Sequence, residues 1–561
     1  MLKPLKRDAI SNRYIVTEET KDGLLRRISF QNEDEFNFAY DVLDELAKKC
    51  PNKLALLHIS KDKVERRFTF REISEYSSKT ANYLKSLGIK KGDTVLMVLK
   101  RHYQYWFIMM ALHKVGAIGI PASNLLVQTD FEYRFQAGDV HTVICTDNDG
   151  IAEYVDAADE NVHMLRNKII VGKPRAGWRN YDEEVEAFST EFPRPVAEEE
   201  RTKASDISIM LFTSGTTLHS KLTAHNFLYP LGHFVTARYW NQVDPDGLHL
   251  TMSDTGWAKS LWGKLYGQWL CEAAIFVYDY DVFSAKDILH LIEKYQITTF
   301  CAPPTVYRVL IRMNLSEFSL SSLQHVTTAG EALNAEVFRR FYEQTGLMIH
   351  EGFGQTETTM VLGAINGVEP RNGSMGKVSP LYDVVLMRGD GTLCDLEEPG
   401  EICIKMDETI NHGLFVEYYN DEEKTKAQCY DGYYHTGDQA RMDKDGYYWY
   451  EGRIDDLIKA AGYRIGPFEI ESELMKIPYV LECAVTSVPD KTRGQAIKAS
   501  IVLTKGIEAS EKLKKEVFHY INQNLASYKR PRIVEFVKSL PKTTSGKIKR
   551  VEIRQNDWAK A

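Results

Sequence analysis

A chain of 561 residues is too long for one compact core, so several subdomains are expected, each burying its own apolar side chains. With 43% hydrophobic residues and a formal charge of −8, the composition is that of an ordinary globular protein and gives no global case for a nucleic-acid or membrane partner. Eight cysteines stand singly, with no CxxC pair and no histidines at metal-ligand spacing, which favours reduced thiols and a cytoplasmic address.

The leading MLKPLKRDAI lacks the apolar core of a signal peptide, and no run reaches the length that spans a bilayer. Short β-branched runs then alternate with helical-looking segments: TVLMVL before HYQYWFIMMALHKVG, TVICT, KIIV, ITTFCAP before TVYRVLIRM, and HVTTAG before AEVFRRFYEQTG. Such alternation predicts mixed or parallel sheets covered by helices. Across 383–405 the pattern changes to strands joined by turn signals, DVVLMRGDGTLC and GEICIK, predicting a small antiparallel, barrel-like β subdomain. Beyond GRIDD at 452–456 come a helix in PFEIESELMKI, strands ECAVTSVP and AIKASIVLT, a helix near EKLKKEVFHYINQNL and a last strand RIVEFV. They compose an α+β module of about one hundred residues. The predicted fold is therefore α/β: a large body over 1–454 and a small, mobile α+β domain over 455–561.

Three strings carry the chemistry. LFTSGTTLHSK, 211–221, sets an apolar strand before a Thr/Ser/Gly loop that ends in Lys221; hydroxyls, backbone N–H groups freed by Gly215 and the lysine suit a polyphosphate. It does not match GxxxxGK[ST], so it is not the usual P-loop. HEGFGQTETT, 350–359, follows a strand predicted to end at GLMI and sets Thr356 beside Glu357, a hydroxyl and a carboxylate able to hold Mg²⁺ against phosphate oxygens. YHTGD, 434–438, and GRIDD offer Asp438 for ribose hydroxyls and Arg453 for phosphate. Taken alone, each string also fits a polar turn or a pair of exposed charges.

In this order, and with SDTGW (253–257), APPTVYR (302–308), AGEALN (329–334), GRIDDLIKAAGYRIGPFEIE (452–471) and PKTTSGKIKR (541–550), the strings make the chain resemble the adenylate-forming superfamily of AMP-binding enzymes, most of all its medium-chain acyl-CoA synthetases. The resemblance spans about Asp41 to Arg550. It implies an acid-thiol ligase that uses ATP, Mg²⁺ and coenzyme A to convert a small carboxylic acid to an acyl-adenylate and then to a thioester. It further implies that Lys547 bridges carboxylate and α-phosphate. Thr213, Ser214, Gly215, Thr216, Thr217 and Lys221 would then face the outer phosphates, and Gly330, Glu331 and Ala332 would border adenine. Glu351, Gly352, Phe353, Gly354, Gln355 and Thr356 would line the nucleotide, with Asp438 on ribose, Arg453 on phosphate and Glu357 on the metal. Asp455 occupies the family hinge. Ala461, Gly462, Tyr463 and Arg464 would approach pantetheine after the small domain rotates, and Arg493, Arg530 and Arg532 would receive the phosphates of coenzyme A.

Two positions depart from the family pattern: Leu218 replaces a loop glycine and Ser220 a proline. Leucine resists positive φ, so the loop's approach to pyrophosphate is expected to differ. Acetyl-CoA synthetases carry a tryptophan before QTE where Gly354 stands here, which implies a pocket larger than acetate needs, with Trp257 lining it. The expected acid is short branched, medium-chain or small aromatic. Two alternatives stay open: a stand-alone enzyme that loads a carrier protein, and a non-catalytic nucleotide or acyl-adenylate sensor. No oligomeric state is legible.

Overall fold

The computed structural model describes residues 2–560 except 214–219, 407–411, 461–462, 491–493 and 544–546, and for Tyr463 and Arg464 the backbone alone. The first sheet is built around Thr94–Val98, whose five residues are all buried. It pairs in parallel with Ile118–Pro121 on one side and Thr142–Thr146 on the other, the latter followed by Asn167–Val171. Strands buried on both faces read as continuous apolar runs, as TVLMVL and TVICT do. Beyond Ile118–Pro121 the hairpin Ile207–Phe212 and Leu222–Asn226 joins through a parallel contact at Ile209.

The second sheet begins with parallel strands Leu54–Ile59, Ala274–Tyr278, Leu248–Thr251, Thr299–Cys301, His325–Ala329 and Ile349–Phe353. Past Ile349–Phe353 it turns antiparallel through Leu362–Gly363 and Ser374–Val378 into Tyr448–Arg453, Tyr433–Met442, Gly400–Lys405 and Val384–Met387. The strands expected as a barrel-like unit are thus antiparallel and continue the edge of this sheet. Every residue of helix Gln104–Val115 is buried, as an all-round apolar helix must be; with Tyr105, Trp106 and Ile108 at its centre it shares one core with Val95 and Met97 of the first sheet and Ile275 and Val277 of the second. Each such side chain contributes about 1.5–3 kcal/mol. Among the described residues no helix is long and apolar enough to cross a membrane.

The join between parallel and antiparallel parts depends on Gly376. It holds φ at +89°, and a Cβ there would lie 2.2 Å from the carbonyl carbon of Gly363 on the neighbouring strand. Neither backbone can yield, so Gly376→Ala is expected to cost more than about 2 kcal/mol. A urea melt checks this; an unchanged midpoint would contradict it.

The C-terminal module has the order read from the sequence. Helix Pro467–Leu474 precedes antiparallel strands Val480–Asp490 and Gly494–Leu503; helix Glu511–Asn524 follows, and Ile533–Phe536 runs parallel to Gly494–Leu503. Ile470, Leu474, Val485, Ile497, Val517, Ile521 and Val534 form its core. A helix at Arg550–Lys560 was not anticipated: its sequence is strongly polar and buries only Ile553 among its residues.

Candidate active site

Ligands of open α/β sheets gather beyond the carboxyl ends of the strands, where several of the named residues stand. Thr213 directly follows Ile207–Phe212, and its N–H donates to the Lys221 carbonyl at 2.8 Å, closing the neck of the loop. The Ser220 carbonyl accepts from the Tyr133 hydroxyl at 2.6 Å. Ser214, Gly215, Thr216, Thr217 and Leu218 lie outside the described residues. Lys221 Nζ is 3.3 Å from Gln428 Oε1 and 3.4 Å from the Tyr418 hydroxyl, over whose ring it stands. That hydroxyl donates to Glu357 Oε1 at 2.7 Å. Burial pulls Lys221 below the ordinary lysine range, opposed by the Glu357 charge and reinforced by Arg453, so all three charges share one neighbourhood.

Strand Ile349–Phe353 runs through HEGF rather than ending at GLMI, which places Glu351, Gly352 and Phe353 within the sheet and starts the polar turn at Gly354. Glycine is required at both positions by close neighbours: a Cβ on Gly352 would sit 2.7 Å from the Trp240 ring, and one on Gly354 2.4 Å from the Thr359 carbonyl oxygen and 2.5 Å from the Trp262 ring. Trp257 is half-buried at the start of helix Ala258–Gly263, and the ring that meets Gly354 is Trp262, five positions on. The Thr356 carbonyl accepts from His225 Nε2 at 2.8 Å.

Glu351 is buried, and its Oε1 accepts the Leu333 N–H at 3.0 Å, anchoring the segment that holds Gly330, Glu331 and Ala332. Gly330 has φ +102° with open space where a Cβ would stand, and Glu331 pairs with Arg308 at 3.0 Å. Burial pushes the Glu351 carboxyl up to about 8, partly offset by the Leu333 hydrogen bond. The folded state therefore holds a proton that the unfolded state releases near pH 4.5, and stability falls as pH rises from there to about 8, by about 1.4 kcal/mol per pH unit. Glu351→Gln keeps an oxygen for Leu333 and is expected to flatten that decline. Thermal midpoints from pH 5 to 8 check it, and parallel profiles for the two proteins would contradict it.

Asp438 and Arg453 are register partners on the antiparallel strands. Asp438 is buried: Oδ1 accepts from the Tyr450 hydroxyl at 2.8 Å, and Oδ2 accepts from Gln355 Nε2 at 2.5 Å and faces Arg453 at 3.5 Å. Gln355 also donates to the Thr436 carbonyl and accepts from the Tyr434 hydroxyl, so the QTE turn and the YHTGD strand form one network. Burial opposes the Arg453 charge, but Asp438 and Asp455 outweigh it and hold the guanidinium above its ordinary range.

Asp455 is part-exposed and 3.3 Å from Arg453, at the link between the sheet and the small module. Directly after it, Asp456 is held by Arg554 at 3.3 Å from the terminal helix, and Arg550 forms a buried fork with Glu471 at 2.6 Å. The module touches the body where Asn334 donates to the Ser472 carbonyl and Phe468 meets Tyr450 edge-on. Lys547 is exposed on a turn closed by Thr543, and its charge is felt at Lys259 of the body. Burial, with that smaller push from Lys547, lowers Lys259 against the opposing Glu331 charge, while its Nζ donates to the Ala329 carbonyl at 2.7 Å. Of the residues expected to contact coenzyme A, Ala461, Gly462 and Arg493 lie outside the described residues, and Tyr463 and Arg464 form a short backbone hairpin with Ile458–Ala460. Arg530 Nε donates to the Leu525 carbonyl, whereas Arg532 is exposed. Much of the basic tail is paired, Lys529 with Glu469, Lys542 with Glu482 and Arg550 with Glu471.

A two-sheet α/β body followed by a small α+β C-terminal domain is the architecture of the adenylate-forming class. Residues 43–418 match the profile described as AMP-binding enzyme and residues 469–547 that of the AMP-binding enzyme C-terminal domain; the chain belongs to this family. It is 38% identical over 533 residues to the mitochondrial acyl-coenzyme A synthetase ACSM3 of Homo sapiens, covering 93% of this chain and 90% of that one. The structure is similar to an anthranilate CoA ligase, AuaEII, in complex with anthranoyl-AMP (TM-score 0.85, 28% identity, 93% and 97% of the two chains). It is also similar to an acyl-CoA synthetase of Brucella canis (TM-score 0.71, 30% identity, 94% and 95%).

Proposed function

We propose that this protein is an AMP-forming acyl-CoA synthetase. In the first half-reaction a carboxylate oxygen attacks the α-phosphate of ATP, the bond to the β-phosphate breaks, and acyl-adenylate and pyrophosphate form. In the second, the thiol of coenzyme A adds to the acyl carbonyl, loses its proton, and AMP departs. A mixed anhydride has a better leaving group than a free carboxylate, so one hard step becomes two easier ones. The single observation that carries the reading is the grouping of Lys221, Glu357, Asp438 and Arg453: the Tyr418 hydroxyl lies between Lys221 and Glu357, and Asp438 faces Arg453 and Gln355 of the same turn as Glu357.

Lys547 offsets the repulsion between carboxylate and triphosphate, Lys221 and Thr213 receive the outer phosphates, Asp438 orients ribose, and Gly330 to Ala332 border adenine. Glu357, a single carboxylate steadied by one neutral hydroxyl and flanked by Thr356, is a donor set that suits Mg²⁺. Bound there, the ion would neutralise phosphate charge. The domains divide at 454/455, and rotation about Asp455 exchanges Lys547 for the 461–464 segment. Eight free cysteines support a reducing, cytoplasmic setting.

For the acid, glycine at 354, where acetyl-CoA synthetases carry a tryptophan, supports a pocket wider than acetate requires. The relatives' names, acyl-coenzyme A synthetase and anthranilate CoA ligase, agree with a short branched, medium-chain or small aromatic acid. ATP–pyrophosphate exchange across acids of graded size tests this. An optimum above acetate is expected, and highest kcat/KM for acetate would overturn the substrate class.

A further inference from the structure

Away from the phosphate loop, three side chains of different chemistry converge on one point. Cys403 on strand Gly400–Lys405 and His435 on Tyr433–Met442 are register partners, and Glu401 lies two residues before Cys403 on the same face. The register shifts between Glu401 and Cys403, which pair with Gln439 and His435, so the partner strand carries two more residues than this one between the two pairs. Bulges of this kind re-aim side chains beside active sites.

His435 Nδ1 is 3.0 Å from Glu401 Oε2 and 3.4 Å from Cys403 Sγ. One ring nitrogen carries at most one proton, so it cannot satisfy a carboxylate and a thiol through ordinary hydrogen bonds in both directions. Cys403 is fully buried and His435 nearly so, under the ring of Tyr430 stacked at 3.7 Å, while Glu401 keeps about a fifth of its side chain open to solvent as an entry path. Ligand atoms within 4.8 Å of one another can share an ion without moving the backbone. Tetrahedral zinc, with bonds near 2.3 Å to sulfur and near 2.0 Å to nitrogen and oxygen, sets sulfur about 3.6 Å from nitrogen and nitrogen about 3.3 Å from oxygen, close to the 3.4 and 3.0 Å here, with sulfur and oxygen within 4.8 Å.

We propose that Glu401, Cys403 and His435 form a site for a soft divalent cation of the zinc type, with water in the fourth position. The mixed S/N/O set excludes Mg²⁺ and Ca²⁺, which take oxygen ligands. Because Glu401 Oε1 also accepts the Gly437 N–H at 2.9 Å, the ion would brace the bulge that carries Asp438.

The test uses the full chain, stripped with chelator and titrated with Co²⁺. Expected are one equivalent bound, a near-ultraviolet sulfur-to-cobalt charge-transfer band, and a rise in thermal midpoint on loading. Cys403→Ser should abolish the band, Glu401→Gln should weaken binding at least about tenfold, and Cys394→Ser and Cys429→Ser should leave both unchanged. If Cys403→Ser fails to fold, His435→Gln supplies the same readout. No band at one equivalent, or a band that survives both Cys403→Ser and His435→Gln, overturns the proposal.

Discussion

Lys547→Ala is expected to lower acid-dependent pyrophosphate release by about 10²–10³-fold while leaving thioester formation from supplied acyl-adenylate nearly unchanged. On the proposed reading the first half-reaction brings two anions together and Lys547 supplies the compensating charge; its side chain is exposed, and its carbonyl accepts the Thr543 N–H at 2.7 Å. The second half-reaction starts from a mixed anhydride whose carboxylate charge is gone, so that charge is no longer needed. Folding is not at stake, because an exposed lysine contributes little to stability. Stopped-flow assays of the two half-reactions separate them; equal loss in both would contradict the role given to Lys547.

Asp438→Ala is expected to lower kcat/KM for ATP by about 10²–10³-fold, the worth of one or two hydrogen bonds to a charged group. The effect has two sources. On the proposed reading the ribose loses its acceptor, and Tyr450, Gln355 and Arg453 lose the carboxylate that all three engage. Among the described residues, removing the acid also leaves the Arg453 charge with only Asp455 as an ion-pair partner, so a lower melting temperature should accompany the kinetic loss. Asp438→Asn preserves shape but sets an amide against Gln355 and Arg453, and should recover part of the stability and little of the activity. Full ATP saturation at the wild-type KM in either variant would contradict a ribose role.

Much of the fold was legible because its strands are short apolar runs with helices between them, and the small domain follows the order read from GRIDD onward. The site was legible as strings because each motif is local: a strand end followed by Gly, Thr and a charged residue. Its assembly was not. Gln355 reaches Asp438 across 83 positions and Tyr418 reaches Glu357 across 61, contacts for which a sequence carries no period. Trp262, on helix Ala258–Gly263 just after Trp257, meets Gly354, a contact that only the folded chain shows. The motif gives no sign that the Glu351 carboxyl accepts the Leu333 N–H, 18 positions away. The single cysteines implied no metal, because Cys403 and His435 lie 32 positions apart and meet only through strand register.

The most direct measurement is pyrophosphate release from ATP and Mg²⁺ over a panel of carboxylates, with and without coenzyme A, with thioester assayed in the same samples. Acid-dependent pyrophosphate matched mole for mole by thioester when coenzyme A is present is the predicted result. Pyrophosphate with no thioester at saturating coenzyme A, or none released for any acid, would contradict a CoA ligase.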